Sequence, residues 1–300
     1  MVRRRPVAYL IDAPVYVFRA YYSLPDSLAD PAGQPVNALY GYGQFLCGLL
    51  ERERPSHVAA AFDESLTSSF RNDWYAEYKA NRASPPEELK RQFGWCKRLT
   101  RAMGVRTYAS GRLEADDLIA TAASRLRAEG FRLVIVSRDK DLAQLVGPGD
   151  RWWDGLDGPR LDRKAIRERF GVLPAQIADY LALVGDAVDN IPGVPGVGPK
   201  AASALLACFD SLAGIYQHLH RVPALELRGA ARLAERLAAH REQALLSLQL
   251  ATLHTGARIR CDAAHLAWEG PRRAALTRLF RELGVGGRLR ERCLALASES

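Results

Sequence analysis

Nine acidic residues stand where a folded chain can bring carboxylates together from distant positions. Asp12 directly follows the apolar run Val7–Ile11, and Asp63 directly follows His57–Phe62. Asp139 and Asp141 come just after Leu133–Val136. Glu114, Asp116 and Asp117 open a helical pattern, while Asp186 and Asp189 sit in Gly185-Asp-Ala-Val-Asp-Asn190. Singly, each has a plainer reading: acids favour the first turn of a helix, and an Asp after a strand is often a turn former. Gathered on one surface, they would repel by several kcal/mol at the low effective dielectric of a cleft, so cations would have to neutralise them. Hard oxygen donors favour Mg²⁺ or Mn²⁺ over zinc. Two such ions roughly 4 Å apart form the clamp used for in-line displacement at phosphorus. Triad chemistry finds little support, because the six His are scattered and no GxSxG elbow occurs.

A basic and aromatic stretch, Ser69 to Arg82, begins shortly after Asp63. Arg71, Tyr75, Tyr78, Lys79 and Arg82 recur at intervals of three and four, so a helix would align them on one face. Cations mixed with rings suit a nucleic-acid end, with charge for phosphate and aromatics for unstacked bases. An amphipathic surface helix is the alternative. Further on, Ile191-Pro-Gly-Val-Pro-Gly-Val-Gly-Pro-Lys200 precedes a helical pattern from Ala201 to Cys208. Gly193, Gly196 and Gly198 allow tight turns that bring backbone amides and a helix N-terminus close to a phosphate, and Lys200 adds a cation. The spacing is not that of a Walker loop. A plain helix–helix turn remains possible.

The elements that must position these residues are legible. Val7–Ile11, His57–Phe62 and Leu133–Val136 read as buried strands, with Val105–Tyr108 weaker; helical patterns over Ala38–Glu51, Leu89–Met103 and Ala115–Glu129 separate them. This alternation predicts an α/β fold with a mostly parallel central sheet and flanking helices. In such a sheet the carboxyl ends of the strands share the ligand-binding edge. After Leu161 the strand signal fades and helical periodicity runs to Arg292. The expected division is therefore an α/β part, 1–160, and a helical part, 161–300. Composition is that of an ordinary globular chain, with 48% hydrophobic and 25% charged residues and a net charge of +8 that suits a polyanionic partner. The five scattered cysteines read as reduced thiols, and no apolar run reaches membrane-spanning length, so the cytoplasm is the expected compartment.

Five separated motifs together resemble the 5′ nuclease family, which includes the 5′→3′ exonuclease domain of bacterial DNA polymerase I, phage 5′ nucleases and flap endonucleases. They are Leu10-Ile-Asp12, Ala61-Phe-Asp63, Leu113-Glu-Ala-Asp-Asp117, Ser137-Arg-Asp-Lys-Asp141 and Gly185-Asp-Ala-Val-Asp-Asn-Ile-Pro-Gly193. The resemblance implies a PIN-like fold with a helical arch at about 66–100 and a helix–hairpin–helix at about 185–208. It implies that Asp12, Asp63, Glu114, Asp116 and Asp117 hold or orient one Mg²⁺, and that Asp139, Asp141, Asp186 and Asp189 serve a second. By the same resemblance Lys79 and Arg82 contact the scissile phosphate, Arg71, Tyr75 and Tyr78 line the arch, and the hairpin from Gly193 to Lys200 grips duplex DNA and can bind K⁺. A monomeric, stand-alone nuclease without a polymerase domain is the expectation, cutting DNA at 5′ ends or flaps. One departure is Ala13-Pro14 after Asp12, where the family commonly has small residues with His or Asn. A related metal-dependent ribonuclease and a non-catalytic DNA-end-binding protein are the rival readings.

Overall fold

Side chains of the central strands alternate between two apolar layers, and that alternation sets the architecture. In the computed structural model, which describes residues 5–65, 69–155 and 157–297, strands β1 (Val7–Asp12), β2 (His57–Asp63), β3 (Arg106–Ser110), β4 (Arg132–Val136) and β5 (Arg151–Trp153) run parallel. A short β6 (Arg160–Leu161) adds antiparallel at the edge, giving the order β3-β2-β1-β4-β5-β6. Leu10, Ala59, Leu133 and Trp152 point into one layer; Ile11, Ala60, Val134 and Trp153 point into the other. Both faces are covered, which is why these strands read as continuous apolar runs.

Helices α1 (Ala13–Ser23), α2 (Asn37–Glu53) and α3 (Glu87–Ala102) cover one face, and α4 (Ala115–Ala128) the other. Beyond β6 the regular elements among the described residues are helical. In order they form α5 (Arg163–Phe170), α6 (Ile177–Val184), α7 (Pro199–Phe209), α8 (Leu212–Gln217), α9 (Ala230–Ala239), α10 (Arg241–Ala251), α11 (Ala263–Leu266), α12 (Arg273–Glu282) and α13 (Gly287–Leu296). Helices α5 to α10 extend the α4 layer. The last two return: Leu276, Phe280 and Leu289 pack among Leu39, Leu46 and Leu99 on the α1–α3 side.

The chain leaves β1 for β2 and β3 on one side and then crosses to β4 on the other. The crevice between the carboxyl ends of β1 and β4 is thus the switch point of the sheet. Asp12 ends β1 and Asp139 follows β4, so the sheet order itself sets these acids side by side. Pro14 sits in the first turn of α1, where its missing amide hydrogen costs nothing.

The expected helix through Arg71–Arg82 does not form. Ser69 and Asn72 close a capping box on a single 3₁₀ turn, Phe70–Asp73, and turns follow until α3 begins at Glu87. Two features divert the backbone: Asn72 Nδ2 donates to the Tyr78 carbonyl at 2.8 Å, and Lys79 adopts a left-handed φ of +56°. The start of the expected arch, 66–68, lies outside the described residues.

Candidate active site

The acid rim is built on hydrogen bonds that begin at the strand ends. Ser137, the residue after β4, donates through its hydroxyl to Asp12 Oδ2 at 2.6 Å. The same hydroxyl accepts from the Asp139 amide at 2.9 Å, and Asp139 Oδ1 accepts from the Asp141 amide at 2.9 Å. On the other side of β1, Asp63 Oδ1 accepts from the Ala115 amide at 2.8 Å, at the first turn of α4. That contact carries Glu114 and Asp116 to the same rim. Nothing in its sequence motif assigns Ser137 a role; its position between Asp12 and Asp139 becomes visible only when β1 and β4 are adjacent.

These carboxylates feel one another. Burial, then the charges of Asp139 and Asp63, pushes Asp12 up to about 8, against the Ser137 hydrogen bond. Burial likewise raises Asp63 to about 6, with the Ala115 amide opposing. Burial and the charges of Asp12 and Asp139 drive Asp116 well above the carboxylate range. Asp141 rises through burial and the charges of Asp139, Asp189 and Asp186. Asp139 rises too, through burial and then the Asp189 charge, restrained by the Asp141 amide. The two halves of the set meet at Asp139.

Besides Arg71, which pairs with Glu114 and Asp117, three side-chain cations are interleaved with the acids. Lys79 Nζ lies 2.9 Å from Glu114 Oε1 and 3.4 Å from Asp189 Oδ2, Arg82 pairs with Asp189, and Lys140 Nζ lies 2.8 Å from Asp186. Asp189 is buried, which works against its charge, yet Lys79 and Arg82 hold it below the ordinary carboxylate value. With these cations between them, no three of the acids cage an ion as they stand, among the described residues. The donor set nonetheless fits a hard divalent cation. It consists of carboxylate oxygens, several destabilised as anions, and buried Asp141 Oδ1 has no hydrogen-bond partner.

The structure engages three of the named residues within the fold. Asp117, fully buried, has no free oxygen. Its Oδ1 accepts from Arg71 Nη2 at 2.8 Å and the His254 amide at 2.9 Å; its Oδ2 accepts from Arg71 Nη1 at 2.9 Å and the Glu114 amide at 3.2 Å. In that position it orients the rim. Arg71, 1% exposed, is its bidentate partner and also donates to the carbonyls of Leu250 and Thr252, so its guanidinium is engaged within the fold. Tyr78 is buried as well, its hydroxyl directed to Glu114 and Asp189 at 3.2 Å. Tyr75 stays half-exposed beside Glu77.

In the hairpin, Gly193 plays a packing role. Its amide donates to Ser247, its carbonyl accepts from Gln243, and a Cβ there would lie 2.3 Å from the Gly185 nitrogen. Gly196, Gly198 and Lys200 are exposed, with Gly198 at the N-cap of α7. Gly196 needs its glycine for a φ of +75°.

Two family models meet end to end along the chain. The 5'-3' exonuclease N-terminal resolvase-like domain matches residues 7–171, and the 5'-3' exonuclease C-terminal SAM fold matches residues 172–274. The chain belongs to the 5'-3' exonuclease family. Similar proteins include DNA polymerase I of Pseudomonas aeruginosa, 41% identical over 91% of this chain and 30% of that protein. DNA polymerase I of Bacillus caldotenax is 38% identical over 92% of this chain and 31% of that protein. This exonuclease-family chain thus spans about 30% of the length of those relatives. Among solved structures it shares its fold with T5 5'-exonuclease bound to zinc (TM-score 0.67, 22% identity, 92% of this chain and 98% of that one). It also shares it with the catalytic core of Rad2 in complex with DNA (TM-score 0.62, 13% identity, 98% and 92%). No helix is long and apolar enough to cross a membrane among the described residues.

Crowded carboxylates make a prediction separate from catalysis. Asp12 near 8 and Asp63 near 6 bind protons in the folded state that the unfolded chain, with ordinary carboxyls, has released. Between about pH 4 and pH 8 the native state therefore holds more protons, and stability falls as pH rises. Without metal, the protein is expected to melt at a lower temperature at about pH 8 than at about pH 6, and a divalent cation should narrow the gap. Scanning calorimetry in EDTA and in excess metal measures both; a melting point that climbs with pH in EDTA contradicts the shared acid rim.

Proposed function

We propose that this chain hydrolyses DNA phosphodiester bonds near 5′ ends, as a 5′→3′ exonuclease and 5′-flap endonuclease, using two Mg²⁺ ions for which Mn²⁺ can substitute. The observation that carries the reading is the mutual crowding of Asp12, Asp116, Asp139 and Asp141 at the switch point of the sheet, with one buried carboxylate oxygen unpartnered. Asp12, Asp63, Glu114 and Asp116 would hold one ion, and Asp139, Asp141, Asp186 and Asp189 the other. When bound, the ions supply charge that lowers the pKa of an attacking water and offsets charge growing on the phosphate.

The protein's own groups do the rest. Ser137 fixes the carboxylate of Asp12, and Arg71 and Asp117 fix the turn that carries Glu114 and Asp116. Lys79 and Arg82 lie against Glu114 and Asp189 at the rim. A phosphate entering there meets two cations already aimed at the cleft, which stabilise charge on the oxygen that departs. Tyr75, half-exposed, and Trp74, exposed, are aromatic side chains of the stretch left accessible for an unstacked base. The exposed hairpin at Gly196 and Gly198, with Lys200 at the start of α7, would hold the duplex by its backbone, with K⁺ at its carbonyls. In this reading residues 1–160 cut, 161–300 grip the duplex, and the protein works as a cytoplasmic monomer.

A duplex with a labelled 5′ flap tests it. Short 5′ products ending in a 3′-hydroxyl should appear with Mg²⁺ and vanish on addition of EDTA. Tight flap binding with no cut in Mg²⁺ or Mn²⁺ would instead establish an end-binding protein, and preference for a matched RNA flap would establish a ribonuclease.

A further inference from the structure

Behind the acid rim, α1, α2 and the β5–β6 turn enclose a cleft of about 450 Å³ that the hydrolytic reading does not use. Two buried polar groups of its wall lack partners. The Tyr16 hydroxyl is buried in a side chain 3% exposed and has no hydrogen-bond partner. Gln44 Oε1 accepts from Arg292 Nη1 at 2.6 Å, which fixes the amide and leaves Nε2 directed elsewhere; that nitrogen is buried and unpartnered too. Arg19 and Arg138 stand at the mouth, exposed, with no ion pair among the described residues.

An unpaired buried donor is costly, so two around one cleft, with two cations beside them, call for an acceptor-rich anion. Ala20, Leu24 and Phe45 supply an apolar wall, and Asp154 and Asp157 supply acceptors at the opposite side. The volume lies within the range of small-molecule sites. Position narrows the ligand further. Arg138 also lines the depression formed by Asp139, Asp186 and Asp189, so the cleft opens beside the proposed reaction centre. Tyr16 senses Asp12 and Asp154 on one hand and Arg19 and Arg138 on the other; burial and the two acids keep its phenol protonated, a donor.

We propose that this cleft is a nucleotide subsite: Tyr16, Arg19, Gln44 and Arg138 bind the phosphate of a nucleoside 5′-monophosphate, while Leu24 and Phe45 contact its ring. The ligand is either a free mononucleotide or the terminal nucleotide of a strand whose neighbouring phosphate lies at the acids. Its identity rests on the nuclease reading, whereas the existence of the subsite rests on the cleft.

Deoxyadenosine 5′-monophosphate, titrated calorimetrically into the full chain in EDTA, tests the subsite apart from cleavage. Saturable binding is expected, with inorganic phosphate alone and deoxyadenosine alone each weaker. Tyr16→Phe, which removes only the unpartnered hydroxyl, and Arg19→Ala should each weaken binding by about tenfold, with Arg228→Ala as a distant control without effect. Loss of flap-duplex affinity in EDTA alongside loss of mononucleotide affinity identifies a strand terminus; loss of mononucleotide affinity alone identifies a free nucleotide. No saturable binding, or equal affinity in wild type and both variants, overturns the subsite. Mononucleotide binding that persists in a protein unable to cut DNA would overturn the nuclease reading instead.

Discussion

Asp116→Ala is expected to abolish metal-dependent cleavage while the protein still binds its DNA. Asp116 and Asp117 are neighbours in sequence with opposite fates. Every oxygen site of Asp117 is engaged by Arg71 and two backbone amides. Asp116 has no such partner: burial and the charges of Asp12 and Asp139 make its anion costly, which is the condition of a ligand waiting for a cation. Removing it takes one donor from the ion proposed between Asp12 and Glu114 and relieves a repulsion in the empty site. Single-turnover cleavage of the flap substrate should fall by about a thousandfold or more, as loss of a charge-stabilising group in a preorganised site does. Flap affinity in EDTA should hold or rise. Residual cleavage within about tenfold of wild type would remove Asp116 from the ligand set; parallel loss of binding and cleavage would show that it serves the fold instead.

Arg71→Ala should be the most destabilising single change in the site region, and it should act on folding before chemistry. Arg71 is 1% exposed and Asp117 fully buried, joined by bonds of 2.8 and 2.9 Å. The guanidinium also donates to Glu114 and to two carbonyls at the end of α10, and stacks 4.7 Å from the Phe70 ring. Truncation strands a buried anion and two carbonyls, a loss of about 3–5 kcal/mol. Urea unfolding measures it. Arg71→Ala with Asp117→Ala should recover part of the loss, because the stranded charge goes too; a double variant no more stable than the single would mean that the carbonyl contacts, not the ion pair, carry the cost.

Much of this molecule was legible in its sequence. Val7–Ile11, His57–Phe62 and Leu133–Val136 became β1, β2 and β4 nearly to the residue, because a strand covered on both faces is apolar at every position. The five motifs named the family that the two domain models match. Less legible was the stretch from Ser69 to Arg82. Its three- and four-residue spacing fits a helix, but spacing records only which side chains a helix would align. Whether a helix forms depended on Asn72 reaching Tyr78 and on Lys79 reaching Asp189, a partner 110 residues away whose carbonyl accepts the Lys79 amide at 3.0 Å.

Local pattern therefore determined the strands, the helices that separate them and the positions of the acids at strand ends, since period and residue type follow from backbone geometry alone. Tertiary structure decided which acids remain free to bind a cation. Asp116 and Asp117 are the same residue type on the same helical turn, and only the arrival of Arg71 and His254 from elsewhere in the chain separates an uncompensated anion from a fully hydrogen-bonded one. Hydrogen-bond saturation and burial depend on contacts between distant segments, and no local pattern of residues encodes them.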